Sequence, residues 1–119
     1  MVLMLDGDVD FMLALAQELT KRGILSCTAR TVRGARSMIT RFQLSPDALV
    51  IDCSIRGACS LAANVAEEFR NVKIVGVASD NDHCEECAER LAAILNGSNA
   101  KPLDPIPRYA DLIQSLLRQ

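Results

Sequence analysis

No apolar run in this sequence approaches the roughly 18 residues that a membrane-spanning helix needs, so a chain threaded through a bilayer is not expected. A basic excess is missing too. The net charge of −2 and pI near 5.3 leave nothing to neutralise a phosphate backbone, which argues against direct nucleic-acid binding and for protein partners. The glycines form neither GxGxxG nor a P-loop, so nucleotide binding has no support. Histidine occurs once, at His83, and the CxxC of Cys84-Glu85-Glu86-Cys87 has no second copy, so a tetrahedral zinc site lacks ligands. No cysteine and histidine can be assembled by spacing with an orienting acid into a nucleophilic site. The N-terminal MVLMLDGD meets acid too early for a signal peptide, and a cytoplasmic protein is expected. In that compartment the odd set of five cysteines reads as reduced thiols rather than a disulfide framework. Internal repeats and low-complexity tracts are also absent, so residues 1–119 read as one domain.

What is present is alternation. Four short apolar runs, Val2–Leu5, Ile24–Cys27, Ala48–Ile51 and Val72–Val77, are rich in Val, Ile and Leu and have the length of buried parallel strands. Helical stripes separate them. Met12, Leu15, Ala16 and Leu19 share one face, closed by Lys21-Arg22-Gly23; Val32, Ala35, Ile39 and Phe42 make a second, with Thr31 placed to cap it. Leu61, Ala62, Val65, Ala66 and Phe69 form a third stripe, Cys87, Leu91, Ile94 and Leu95 a fourth, and Tyr109, Leu112, Ile113 and Leu116 a fifth. Repeated βα units need right-handed crossovers, which distribute helices over both faces of a doubly wound parallel sheet. A ligand site in such a sheet lies beyond the strand carboxyl ends, where loops and helix N-termini converge.

The residues at that edge carry chemistry. The first run ends in Leu5-Asp6-Gly7-Asp8, the third in Ile51-Asp52 and the fourth in Val77-Ala78-Ser79, while Lys101-Pro102 follows the fourth stripe. Carboxylates at neighbouring strand ends can hold Mg²⁺, an Asp carboxylate can attack phosphorus to form an aspartyl phosphate, and a lysine can neutralise the transferred group. Each residue also has a structural use: Asp8 and Asp10 as caps of the first helix, Asp52 as a turn former, Lys-Pro as loop chemistry. Asp104-Pro105 fits a cap and first turn.

Joint placement resembles the receiver domain of bacterial two-component response regulators over essentially the whole chain. VLMLDGDVDF is similar to that family's first strand and acidic turn, ALVIDCSI to its third strand and phosphoacceptor, and AKPLDP to its lysine-proline motif. The resemblance implies a five-stranded sheet of order 2-1-3-4-5. It makes Asp52 the phosphoacceptor and Lys101 the phosphate contact, with a cis peptide before Pro102. It implies Mg²⁺ as cofactor, bound by Asp6, Asp52 and the Ser54 backbone carbonyl, with Asp8 as a further candidate ligand. A sensor histidine kinase or phosphotransfer protein would donate the phosphoryl group, and an output domain or partner protein would receive the signal. A homodimer is a further partner of this kind; an enzyme with its own small-molecule substrate is not implied.

Three positions depart from the family pattern. Gly7 stands where a second metal-binding acid is usual, and Ala78 where a hydroxyl contacts the phosphoryl group. Only Ser98, Asn99 and Ala100 separate Gly97 from Lys101, so a short or irregular fifth strand is expected. These departures motivate a second reading, a phosphorylation-independent pseudo-receiver acting as a protein-interaction module. A CxxC redox or zinc module is the third.

Overall fold

The computed structural model describes residues 1–79, 97–101 and 105–119, those of 78–79 and 97–101 by backbone alone. The chain runs β1 (Val2–Leu5), α1 (Val9–Lys21), β2 (Ser26–Ala29), α2 (Val32–Arg41), β3 (Ala48–Asp52), α3 (Ala58–Glu68), β4 (Lys73–Ser79) and β5 (Gly97–Lys101), ending in α4 (Ile106–Leu117). All strands pair in parallel in the order β2-β1-β3-β4-β5, the arrangement the resemblance implied. The fourth apolar stripe, Cys87 to Leu95, lies outside the described residues, as do His83, Cys84, Pro102 and Asp104.

Two cores flank the sheet because side chains alternate along each strand. Leu3, Leu5, Leu49, Ile51 and Ile74 point to the side covered by α2 and α3. Val2, Met4, Ala48, Val50, Val75 and Val77 point to the side covered by α1 and α4. On that second side the Phe11 and Tyr109 rings meet edge to face with centroids 5.0 Å apart. At the far end of the same interface Arg22 donates to Glu18, Asp111 and Gln114 and to the Pro107 carbonyl, tying α1 to α4.

Local chemistry sets the boundaries. Gly23, at φ +75, lets the Gly23 and Ile24 amides donate to the Thr20 and Leu19 carbonyls, a Schellman closure of α1. That closure consumes Ile24, leaves Leu25 78% exposed and starts β2 at Ser26, two residues later than the apolar run suggests. Thr31 caps α2, its hydroxyl accepting from the Gly34 amide at 3.0 Å. Phe42 is not core, contrary to its place in the stripe: it is the C-cap residue, Gln43 turns the chain away at φ +52, and the ring is 72% exposed. Pro105 occupies the N-cap position of α4 without a side-chain hydrogen bond. The fifth strand is a short edge strand of 5 residues in regular register with β4.

The thiols need a correction. Cys27 and Cys53 are free, but Cys59, buried at the start of α3, is disulfide-bonded. Sequence spacing says nothing of which thiols a fold brings within bonding distance, so compartment logic alone misjudged it. Among the described residues no helix is long and apolar enough to cross a membrane.

Candidate functional site at the sheet's carboxyl edge

β1 and β3 are neighbours in register, with Leu5 opposite Ile51, so the residues that follow, Asp6 and Asp52, emerge side by side. Adjacent strands lie about 4.8 Å apart, which brings two carboxylates to one edge without any long-range loop. Both continue the alternation that points Met4 and Val50 toward the α1 and α4 side.

Asp6 is 3% exposed and is the only buried charged side chain among the described residues. Its Oδ1 accepts from the Asp8 amide at 2.8 Å, which bends the chain through Gly7 into α1. Asp8 is the N-cap of α1, and its Oδ1 accepts from the Phe11 amide at 3.1 Å. One oxygen of Asp8 is therefore occupied by helix capping. Gly7 itself sits in open space: no heavy atom lies within 4 Å of where its Cβ would be.

Asp52 ends β3, half-buried, opposite Val77 of β4. Its two carboxylate oxygens are treated unequally. Oδ1 accepts twice from Ser54, from the amide at 2.9 Å and the hydroxyl at 2.7 Å. Oδ2 has no hydrogen bond among the described residues. The Ser54 hydroxyl contact is a feature that the sequence reading missed, since it assigned Ser54 only a carbonyl; the Asp-x-Ser spacing of an Asx or ST turn was the available signal. The Ser54 carbonyl accepts no hydrogen bond among the described residues. Cys53 is pulled back into the sheet by its amide, which donates to the Val77 carbonyl at 3.2 Å. Burial, and then the Asp52 charge, push the Cys53 thiol up from its ordinary value.

Lys101 is the last residue of β5, paired with Ser79, two positions beyond the level at which Val77 faces Asp52. Its backbone thus lies at the carboxyl edge, two strands from Asp52; its side chain is outside the described atoms. Ala78 directly follows the partner of Asp52 on β4 and has no hydroxyl to offer.

Among the described residues no three His, Cys, Asp or Glu side chains gather into one metal-holding group. Mg²⁺ does not require that: it keeps several waters and binds through one or two carboxylates. Asp6, Asp52 and the unbonded Ser54 carbonyl are all-oxygen donors of the right hardness, so the residues present fit a weak, largely hydrated Mg²⁺ site.

No protein-family model and no curated protein matches the sequence. Solved structures do match the fold. A response regulator from Thermotoga maritima is similar with a TM-score of 0.81 at 17% identity, over 99% of this chain and 97% of that one. The receiver domain of NtrX from Brucella abortus gives 0.82 at 18% identity, over 100% and 99%. HP1043, an orphan response regulator of H. pylori, gives 0.80 at 16% identity, over 99% and 97%. Against a longer NtrX chain, this chain spans 26% of the length. The fold is that of response-regulator receiver domains.

Proposed function

We infer that this chain is the receiver domain of a two-component response regulator and that Asp52 takes a phosphoryl group from the phosphohistidine of a sensor histidine kinase or phosphotransfer protein. The observation that carries this reading is the asymmetry at Asp52. Ser54 holds Oδ1 with two donors while Oδ2 is left without a partner among the described residues, an oriented nucleophile at the carboxyl edge. Oδ2 would form the bond to phosphorus as the phosphorus–nitrogen bond breaks, and the departing imidazole nitrogen would take a proton from solvent. Asp6, Asp52 and the Ser54 carbonyl would hold Mg²⁺, with Asp8 contributing through its second oxygen. Bound there, the ion offsets the repulsion between carboxylate and phosphate. Lys101 would pair with the transferred group once it is in place. The domain has no substrate of its own, works in the cytoplasm of a bacterium, and passes its signal by conformational change to an output domain, a partner protein or a second copy.

A second reading rests on Gly7 and Ala78. With a carboxylate missing from the acidic turn and a hydroxyl missing after β4, the fold would serve as a phosphorylation-independent interaction module. Incubation with acetyl phosphate or beryllofluoride, with and without Mg²⁺, separates the two. A Mg²⁺-dependent mass or amide-shift change that is lost in Asp52→Asn supports phosphotransfer. No change at millimolar Mg²⁺ sinks it and leaves the interaction module.

A further inference from the structure

The chain carries no Asp or Glu between Glu18 and Asp47, yet six of its 13 cations fall in that interval. Two of the six are already engaged: Arg22 in the α1–α4 network and Lys21 beside Glu18 at 3.9 Å. The other four, Arg30, Arg33, Arg36 and Arg41, make no ion pair or hydrogen bond through their side chains among the described residues.

Helical geometry gathers them. Ala35 and Ile39 are buried and define the inward side of α2. At 100° per residue Arg33 and Arg41 fall on the opposite side, together with Ser37 and Thr40, and span about 12 Å along the axis, while Arg36 lies on the flank, in the groove that Asn64 and Glu68 of α3 also line. Arg30 lies just ahead of the helix on the loop from β2, and Phe42 stands exposed at its other end. A fifth arginine without a partner, Arg56, comes from another element. Gly57, the next residue, is packed so that a Cβ there would lie 3.5 Å from Val32 Cγ2, which sets the β3–α3 loop against the first turn of α2.

We propose that the outward face of α2 is a docking surface for an acidic protein segment that also carries an apolar residue. The unpaired guanidiniums of Arg33 and Arg41 on this face, with Arg30 just ahead of it and no carboxylate on α2 itself, are electrostatically complementary to such a segment, and arginine flanked by an exposed aromatic side chain is the composition of protein interfaces. A nucleic-acid duplex fits less well. The chain's net charge is −2, which disfavours a phosphate backbone. The loop that carries Ser54 rests on the first turn of the same helix, at Val32. The proposal does not depend on phosphotransfer at that site.

The test is a titration of the ¹⁵N-labelled chain at low salt with a short peptide of glutamates around a central leucine, and separately with a random-sequence DNA duplex. Binding of the peptide with amide shifts centred on residues 30–42 is expected. It should weaken tenfold or more in the double variant R33E/R41E and by a smaller factor in the neutral R33Q/R41Q, with both variants keeping the wild-type amide spectrum elsewhere. Absence of peptide binding, shifts centred on another element, indifference to charge reversal, or tighter binding of the duplex would each overturn the proposal.

Discussion

Replacing Gly7 by Asp probes the metal site most directly. No heavy atom lies within 4 Å of the position a Cβ would take at Gly7, and its backbone is outside the left-handed region, so an L-residue enters without clash or strain. The new carboxylate would stand beside Asp6 at the edge that Asp52 shares. A unit charge pair about 4 Å apart is worth about 1 kcal/mol in water, and a divalent ion doubles it. About 2 kcal/mol corresponds to about a 30-fold gain in Mg²⁺ affinity at low salt. Without metal the extra negative charge repels its neighbours by about 1 kcal/mol, which the lower chain entropy of a non-glycine residue, worth about 0.4–1 kcal/mol, largely offsets. Calorimetric Mg²⁺ titration of wild type, Gly7→Asp and Gly7→Asn therefore has a definite expectation: tight binding in Asp alone, a nearly unchanged melting temperature without metal, and a rise with metal confined to Asp. Equal Mg²⁺ affinity in the Asp and Asn variants would refute the assembly of a cation site from Asp6 and Asp52.

Two further outcomes follow from the local chemistry. Thr31→Ala removes the hydroxyl that accepts from the Gly34 amide, and it should lower stability in urea by about 1 kcal/mol while Thr31→Ser restores most of it; a change within error would show that α2 does not need its cap. The raised Cys53 thiol, shifted first by burial and then by Asp52, means that the folded chain keeps this proton to higher pH than the unfolded one. Its contribution to stability is complete below the unfolded thiol's titration and drains as pH rises through the folded one, so the stability difference between wild type and Cys53→Ala should narrow on the alkaline side, above about pH 8.5. A difference independent of pH would contradict that environment.

The sequence by itself determined the sheet and its polarity. The runs Val2–Leu5 and Ala48–Ile51 are continuous apolar segments because both faces of a parallel sheet are covered, and their acidic ends mark the carboxyl edge. Helix faces were equally legible wherever the 3.6-residue period ran through the middle of an element, as at Met12, Leu15 and Leu19. Ends were less so. Ile24 and Phe42 have the right period for strand and helix, yet the caps at Gly23 and Gln43 place them otherwise, since a cap depends on which carbonyls the chain can reach and not on hydrophobicity. Tertiary structure alone decided the rest. It joined β1 to β3 across more than forty residues so that Asp6 and Asp52 stand together, buried Asp6, and set an acid-free helix beside the loop that carries Ser54. Register and crossover, which bring distant segments within hydrogen-bonding reach, are properties of the packed sheet and have no local signature in the chain.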